Sequence, residues 1–135
     1  MKSSNYFDTV LGRIYILENG IVHIAIKEMT LTKSLLEEHY RVLEENLGKP
    51  KYSFILSFEP PYLKMDAISR RYNNDMMNYW SESMAIIVEQ PLIKAFVFMY
   101  LKINRLNYSI EVFGDYAKAE SWTKELKGKV EKLKA

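Results

Sequence analysis

Residues 90–105 read QPLIKAFVFMYLKINR, and this stretch decides the fold of the chain. Its spacing predicts a helix that begins at Pro91 and is apolar on nearly every side. A short apolar strand is predicted before it, at residues 83–89, and another after it, at residues 108–113. Strand, helix and strand in so few residues indicate a βαβ unit, in which the two strands run parallel.

The N-terminal part of the chain predicts a β-hairpin. Two β-rich runs, at residues 13–17 and 21–26, flank Asn19 and Gly20. Asn-Gly between two such runs favours a type I′ turn, because both central residues of that turn need a positive φ. A further short edge strand is predicted at residues 5–10.

The rest of the chain alternates between helix and strand. In chain order, the elements are predicted at residues 30–48 (a helix with Thr30 as N-cap), 51–58 (a strand), 65–81 (a helix) and 115–134 (a helix). We therefore predict a single α/β domain over residues 1–135, with a mostly parallel sheet, an N-terminal hairpin and covering helices.

Composition excludes several classes of protein. Hydrophobic residues make up 48% of the chain and charged residues 27%, with a net charge of +2, which gives no electrostatic footprint for nucleic acid. There is no cysteine, so disulfides and thiolate metal sites are excluded. The longest apolar run, residues 95–101, is too short to span a bilayer, and residues 1–8 contain no apolar core of a secretory signal. We therefore expect no transmembrane segment and a cytoplasmic protein.

The sequence contains no recognisable catalytic motif. The chain has two histidines, His23 and His39, and neither has a metal-ligand or catalytic partner at the usual spacing. The five glycines form neither a dinucleotide-binding loop nor a phosphate-binding loop. We expect a protein that is not an enzyme and has no cofactor or metal, with both histidines hydrogen-bonded in structural roles.

Several stretches resemble the SpoIIAA-like branch of the STAS domains, and in particular the small bacterial STAS/SEC14-like proteins. They are GRIYILENGIVHIAI at residues 12–26, MTLTKSLLEE at residues 29–38 and AIIVEQPLIKAFVFMYLKIN at residues 85–104. The resemblance implies a SpoIIAA-like fold and a regulatory role exerted through contacts with other proteins. It implies no catalytic residues.

Phosphorylatable members of the STAS family carry a serine in the loop after the central strand. Residues 59–69 occupy that place here, and Ser69 is the nearest match. The region lacks the Asp-Ser pair and the glycine of the family motif. Ser69 is therefore a weak candidate phosphorylation site, and we favour an ordinary exposed helical serine.

The helix at residues 90–105 has more apolar surface than one face of a sheet can cover. Leu92, Met99 and Ile103 form one stripe, together with Ala95 or Phe96. A second stripe contains Ile93, Val97, Tyr100 and Leu101. We predict that the second stripe is an interface for a homodimer or an unknown protein partner.

The apolar surplus of this helix is also compatible with two different arrangements. In the first, the protein binds a lipid or another small apolar ligand in a pocket with adaptable walls, for which the candidates are Tyr62, Met65, Met76 and Met99. In the second, the C-terminal helix and the N-terminal strand cover the whole surplus.

Overall fold

The computed structural model describes residues 5–134, which form a six-stranded sheet and four α-helices. The strands are β1 (Tyr6–Thr9), β2 (Gly12–Ile16), β3 (Ile21–Ile26), β4 (Tyr52–Phe58), β5 (Ser81–Ile87) and β6 (Ser109–Phe113). The helices are α1 (Lys33–Leu47), α2 (Ala67–Trp80), α3 (Pro91–Ile103) and α4 (Tyr116–Lys134). The predicted domain began at residue 1 and ended at residue 135, so its first four residues and its last one lie outside the described part.

The strands lie in the sheet in the same order as in the chain. β1, β2 and β3 pair antiparallel, whereas β3, β4, β5 and β6 pair parallel. A helix joins the two strands of each parallel pair, because parallel neighbours need a crossover connection from one end of the sheet to the other. The predicted mostly parallel sheet with an N-terminal hairpin and covering helices is confirmed.

The hairpin turn differs in detail from the prediction. Asn19 and Gly20 have φ values of 57° and 73°, so both adopt the left-handed region that the Asn-Gly pair favours. They belong, however, to a short 3₁₀ turn at Glu18–Gly20 rather than to a two-residue type I′ turn. The backbone N–H of Leu17 donates to the carbonyl of Ile21 at 2.9 Å and closes a three-residue loop.

Two side-chain caps fix where the first two helices begin. Thr32 caps α1 by accepting from the N–H of Leu35 at 3.2 Å, so the predicted N-cap at Thr30 is wrong by two residues. Thr30 instead forms an isolated bridge with Lys64. Asp66 caps α2 by accepting from the N–H of Ser69 at 2.8 Å.

The sheet separates two apolar cores. α1, α2 and α3 pack on one face, where Ile14, Phe54 and Met84 are buried beneath them. α4 packs on the other face and lies against β4, β5 and β6. There Ile55 and Ala119 are buried in a smaller core.

Candidate functional site

The two apolar stripes of α3 lie the opposite way round from the prediction. Ile93 and Val97 are only 1% and 4% exposed and face the core with Tyr100, so the interface predicted at these three residues is wrong. Leu92 and Met99, by contrast, are 61% and 49% exposed. The exposed apolar residues of α3, which we call the docking face, are Leu92, Ala95, Phe98, Met99 and Ile103.

A polar network beneath α3 explains why Tyr100 lies inside. The Nδ2 group of Asn73 on α2 donates to the Tyr100 hydroxyl at 3.2 Å, and the Tyr40 hydroxyl on α1 donates to Oδ1 of Asn73 at 2.6 Å. Asn73 therefore links three helices, and burial raises the pKa of Tyr100 to about 12. Asn73 lies in a polar stretch of α2 that matches no motif, so its role in this network was not predicted from the sequence.

A cavity of about 80 Å³ lies between α1, α2, α3 and the sheet, and we call it the α3 cavity. Its α3 wall consists of Phe96, Val97, Tyr100 and Leu101. Leu101, the fourth residue of the predicted interface, also lines this wall, and its side chain is half-buried.

Of the four residues predicted to form an apolar pocket, Met65 alone lines the α3 cavity. Tyr62 and Met99 are exposed, and Met76 packs beside the core without reaching the cavity. Spacing along the chain identified flexible side chains near the right helices. It did not identify the strand residues, such as Ile24 and Ile86, that form the cavity floor.

His39 lies in the wall of the α3 cavity and is almost completely buried. Its Nδ1 atom is 2.7 Å from the hydroxyl of Thr9, which also accepts the N–H of Leu11. Burial lowers the pKa of His39 to about 4, so its imidazole is neutral at pH 7. The hydrogen bond predicted for His39 is therefore present.

Ser69 is not the exposed helical serine that we favoured. It is 2% exposed and lies in the first turn of α2, immediately above the capping Asp66. A kinase cannot reach this hydroxyl without opening the helix. The weak candidate phosphorylation site at Ser69 is therefore contradicted by its burial.

Residues 5–134 contain no group of three histidine, aspartate or glutamate side chains that is arranged to hold a metal ion. None of the helices in this part of the chain combines the length and the apolar character needed to cross a lipid bilayer.

Comparison with known proteins places the chain in a family. A family model described as a domain of unknown function (DUF7793) matches residues 15–127. No protein with a curated description matches the chain. Among solved structures, the chain is similar to an uncharacterized protein of the DUF3478 family from Shewanella loihica PV-4, described as having a SpoIIAA-like fold.

That similarity covers 91% of this chain and 98% of the other, with a TM-score of 0.56 and 16% sequence identity. At this identity the likeness concerns the fold alone, and it agrees with the hairpin, the parallel sheet and the covering helices described above. The chain therefore belongs to the DUF7793 family and has a SpoIIAA-like fold.

Proposed function

We propose that this protein is a regulatory or scaffolding module of the cytoplasm that acts by binding another polypeptide rather than by catalysis. The observation that carries the proposal is the docking face. Five apolar side chains lie on the outer side of α3, and Lys94 and Lys102 are the only charged residues of that helix. A helix that is apolar all round is usually covered on both sides, so a partner surface is expected over the outer side.

A second copy of this chain is the occupant that the docking face fits. Its residues are arranged almost symmetrically about the middle of α3, so two helices related by a two-fold axis pair antiparallel. Leu92 then lies against the partner's Ile103. The small side chain of Ala95 lies against the partner's Met99, which has a larger side chain. Lys102 can extend its charged end to water along the edge of such a pair.

Replacing Leu92 and Ile103 by glutamate is expected to break the homodimer. Each change places a carboxylate in an apolar contact, and we expect dimer affinity to fall by at least roughly a hundredfold. Size-exclusion chromatography with light scattering, over a concentration series, measures the solution mass of the wild type and the double variant.

The matched control is Ile68→Glu, which changes an exposed apolar residue on α2, outside the docking face. This variant should remain a dimer. A wild type that stays monomeric at every concentration rejects the second copy as the occupant. A dimer that survives Leu92→Glu with Ile103→Glu places the interface elsewhere.

The α3 cavity favours a second candidate function, the binding of a small apolar molecule. The cavity walls are almost entirely apolar, and the tyrosine hydroxyls and Asn73 offer hydrogen bonds to a single polar group. Its volume is well below the roughly 300–1,000 Å³ of sites for drug-sized ligands. A lipid chain therefore needs α3 to move far outward, whereas a six-carbon alcohol needs a smaller movement of the same helix.

1-Hexanol at low millimolar concentration is expected to raise the melting temperature of the protein. A ligand at about ten times its Kd adds about 1.4 kcal/mol, or roughly 4 °C for a chain of this size. Differential scanning fluorimetry measures the shift, and Leu56→Phe, which enlarges a residue of the cavity wall, should abolish it. An equal shift in the Leu56→Phe variant means that the alcohol binds outside the α3 cavity.

A further inference from the structure

A second pocket, of about 150 Å³, lies on the α4 side of the sheet, and we call it the His23 pocket. Ser57 comes from the end of β4, Ile87 from the end of β5 and Tyr116 from the start of α4. The carboxyl ends of parallel strands are where open α/β sheets usually bind ligands. Neither the docking face nor the α3 cavity includes this pocket.

The pocket brings a hydroxyl and an imidazole into hydrogen-bond contact. Nε2 of His23 is 2.8 Å from Oγ of Ser57. In the register of β3 and β4, Ser57 lies directly opposite Ala25, and His23 lies opposite Ile55. The contact between His23 and Ser57 is therefore diagonal, between side chains on the same face of the sheet. This distance lies within the range in which a histidine activates a serine nucleophile.

Two aromatic rings hold the imidazole of His23 in place. The ring of Tyr15 stacks on it with 5.4 Å between centroids, and the ring of Tyr116 lies 5.3 Å away at a tilt. Stacking on one side and a tilted ring near it restrict rotation of His23. Nε2 is thereby kept towards Ser57 and the pocket.

We propose that Ser57 is a covalent modification site that takes a small acyl group from an activated ester or thioester, with His23 as its base. In the tautomer with the proton on Nδ1, Nε2 of His23 removes the hydroxyl proton as Oγ attacks the acyl carbonyl carbon. A new ester bond forms to Ser57, and the bond to the leaving alkoxide or thiolate breaks. The imidazolium of His23 then returns the proton to that leaving group.

The walls of the His23 pocket select the acyl group. A volume of about 150 Å³ admits a short acyl chain, and the side chains of Ile87 and Ile93 offer an apolar surface for its methyl group. The carboxylate of Glu89 also lines the pocket and repels an anionic acyl group. The structure therefore points to a neutral short acyl group such as acetyl.

The test is acetylation of the full chain by p-nitrophenyl acetate, followed by peptide mapping with mass spectrometry. We expect an acetyl group on Ser57 that forms faster than any on Ser34, an exposed serine of α1 that serves as internal control. Ser57→Ala should abolish this adduct. His23→Gln should slow it by roughly a hundredfold, the usual contribution of a general base.

Acetylation of Ser57 at the same rate in the His23→Gln variant would overturn the proposal, as would a Ser57 no more reactive than Ser34. The comparison of Ser57 with Ser34 uses the wild-type chain only. It therefore tests Ser57 as the acceptor, and can overturn the proposal, even if His23→Gln does not fold.

Discussion

Val97→Glu should unfold the domain instead of separating two subunits. Val97 lies on the inner side of α3, in the wall of the α3 cavity, and is only 4% exposed. Among the described residues, no lysine or arginine lines that cavity, and the imidazole of His39 in its wall is neutral at pH 7. The new carboxylate is therefore buried without a cationic partner. The expected loss is about 4 kcal/mol or more in the free energy of unfolding, which is a large part of the stability of a domain of this size.

Met99→Glu is the matched control for Val97→Glu. It makes the same chemical change two residues away on the same helix, but Met99 is 49% exposed and belongs to the docking face. At a protein concentration low enough for the wild type to be monomeric, we expect its free energy of unfolding to stay within about 0.5 kcal/mol of the wild type. Urea denaturation followed by circular dichroism measures both variants. If Val97→Glu were as stable as Met99→Glu, the orientation of α3 described above would be wrong.

The contrast between Val97 and Met99 shows where prediction from sequence ends. The order of strands and helices follows from local signals, such as the Asn19-Gly20 turn and the helix start at Pro91. A further signal is Gly48, which ends α1 directly after Leu47 with a φ of 79°. Those signals act over a few residues, so one sequence is enough to read them. The mostly parallel sheet with an N-terminal hairpin was predictable for that reason, whereas the SpoIIAA-like fold was predicted from the resemblance of residues 12–26, 29–38 and 85–104 to that family.

The orientation of α3 depends on contacts between residues far apart in the chain. Both stripes of α3 are apolar, so the hydrophobic pattern does not distinguish them. What separates them is the hydrogen bond between Tyr100 and Asn73, 27 residues earlier, and this pairing leaves no periodic trace in the sequence. The α3 cavity was equally hard to predict, because its walls come from three helices and several strands.

The stability of the protein should fall in mildly acidic solution because of His39. The unfolded chain binds a proton at the ordinary histidine pKa of 6.5, whereas burial holds the folded-state pKa at about 4. Between these two values the unfolded state binds more protons, so the free energy of unfolding decreases as the pH falls from 6.5 to 4. At about 1.4 kcal/mol per pKa unit, the full loss is about 3 kcal/mol.

The paired carboxylates Asp8 and Glu38 affect the stability of the protein at lower pH than His39 does. Arg13 lowers the pKa of Asp8, and Arg41 lowers the pKa of Glu38, from ordinary values of 3.8 and 4.5. The stability that these exposed pairs contribute is present above those ordinary values and is lost as the pH falls below them. Above about pH 5, the decrease in stability is therefore expected to come mainly from His39.

His39→Gln is expected to flatten the dependence of stability on pH between 6.5 and 5. Glutamine takes up no proton in this range, and its side-chain oxygen can still accept the hydroxyl proton of Thr9. Urea unfolding at several pH values, for the wild type and the variant, measures the slope directly. His23→Gln is the control, because it removes the other histidine, which lies outside the α3 cavity, on the opposite face of the sheet. If His23→Gln removed the slope and His39→Gln kept it, the acid sensitivity would belong to the His23 pocket and not to the buried histidine of α1.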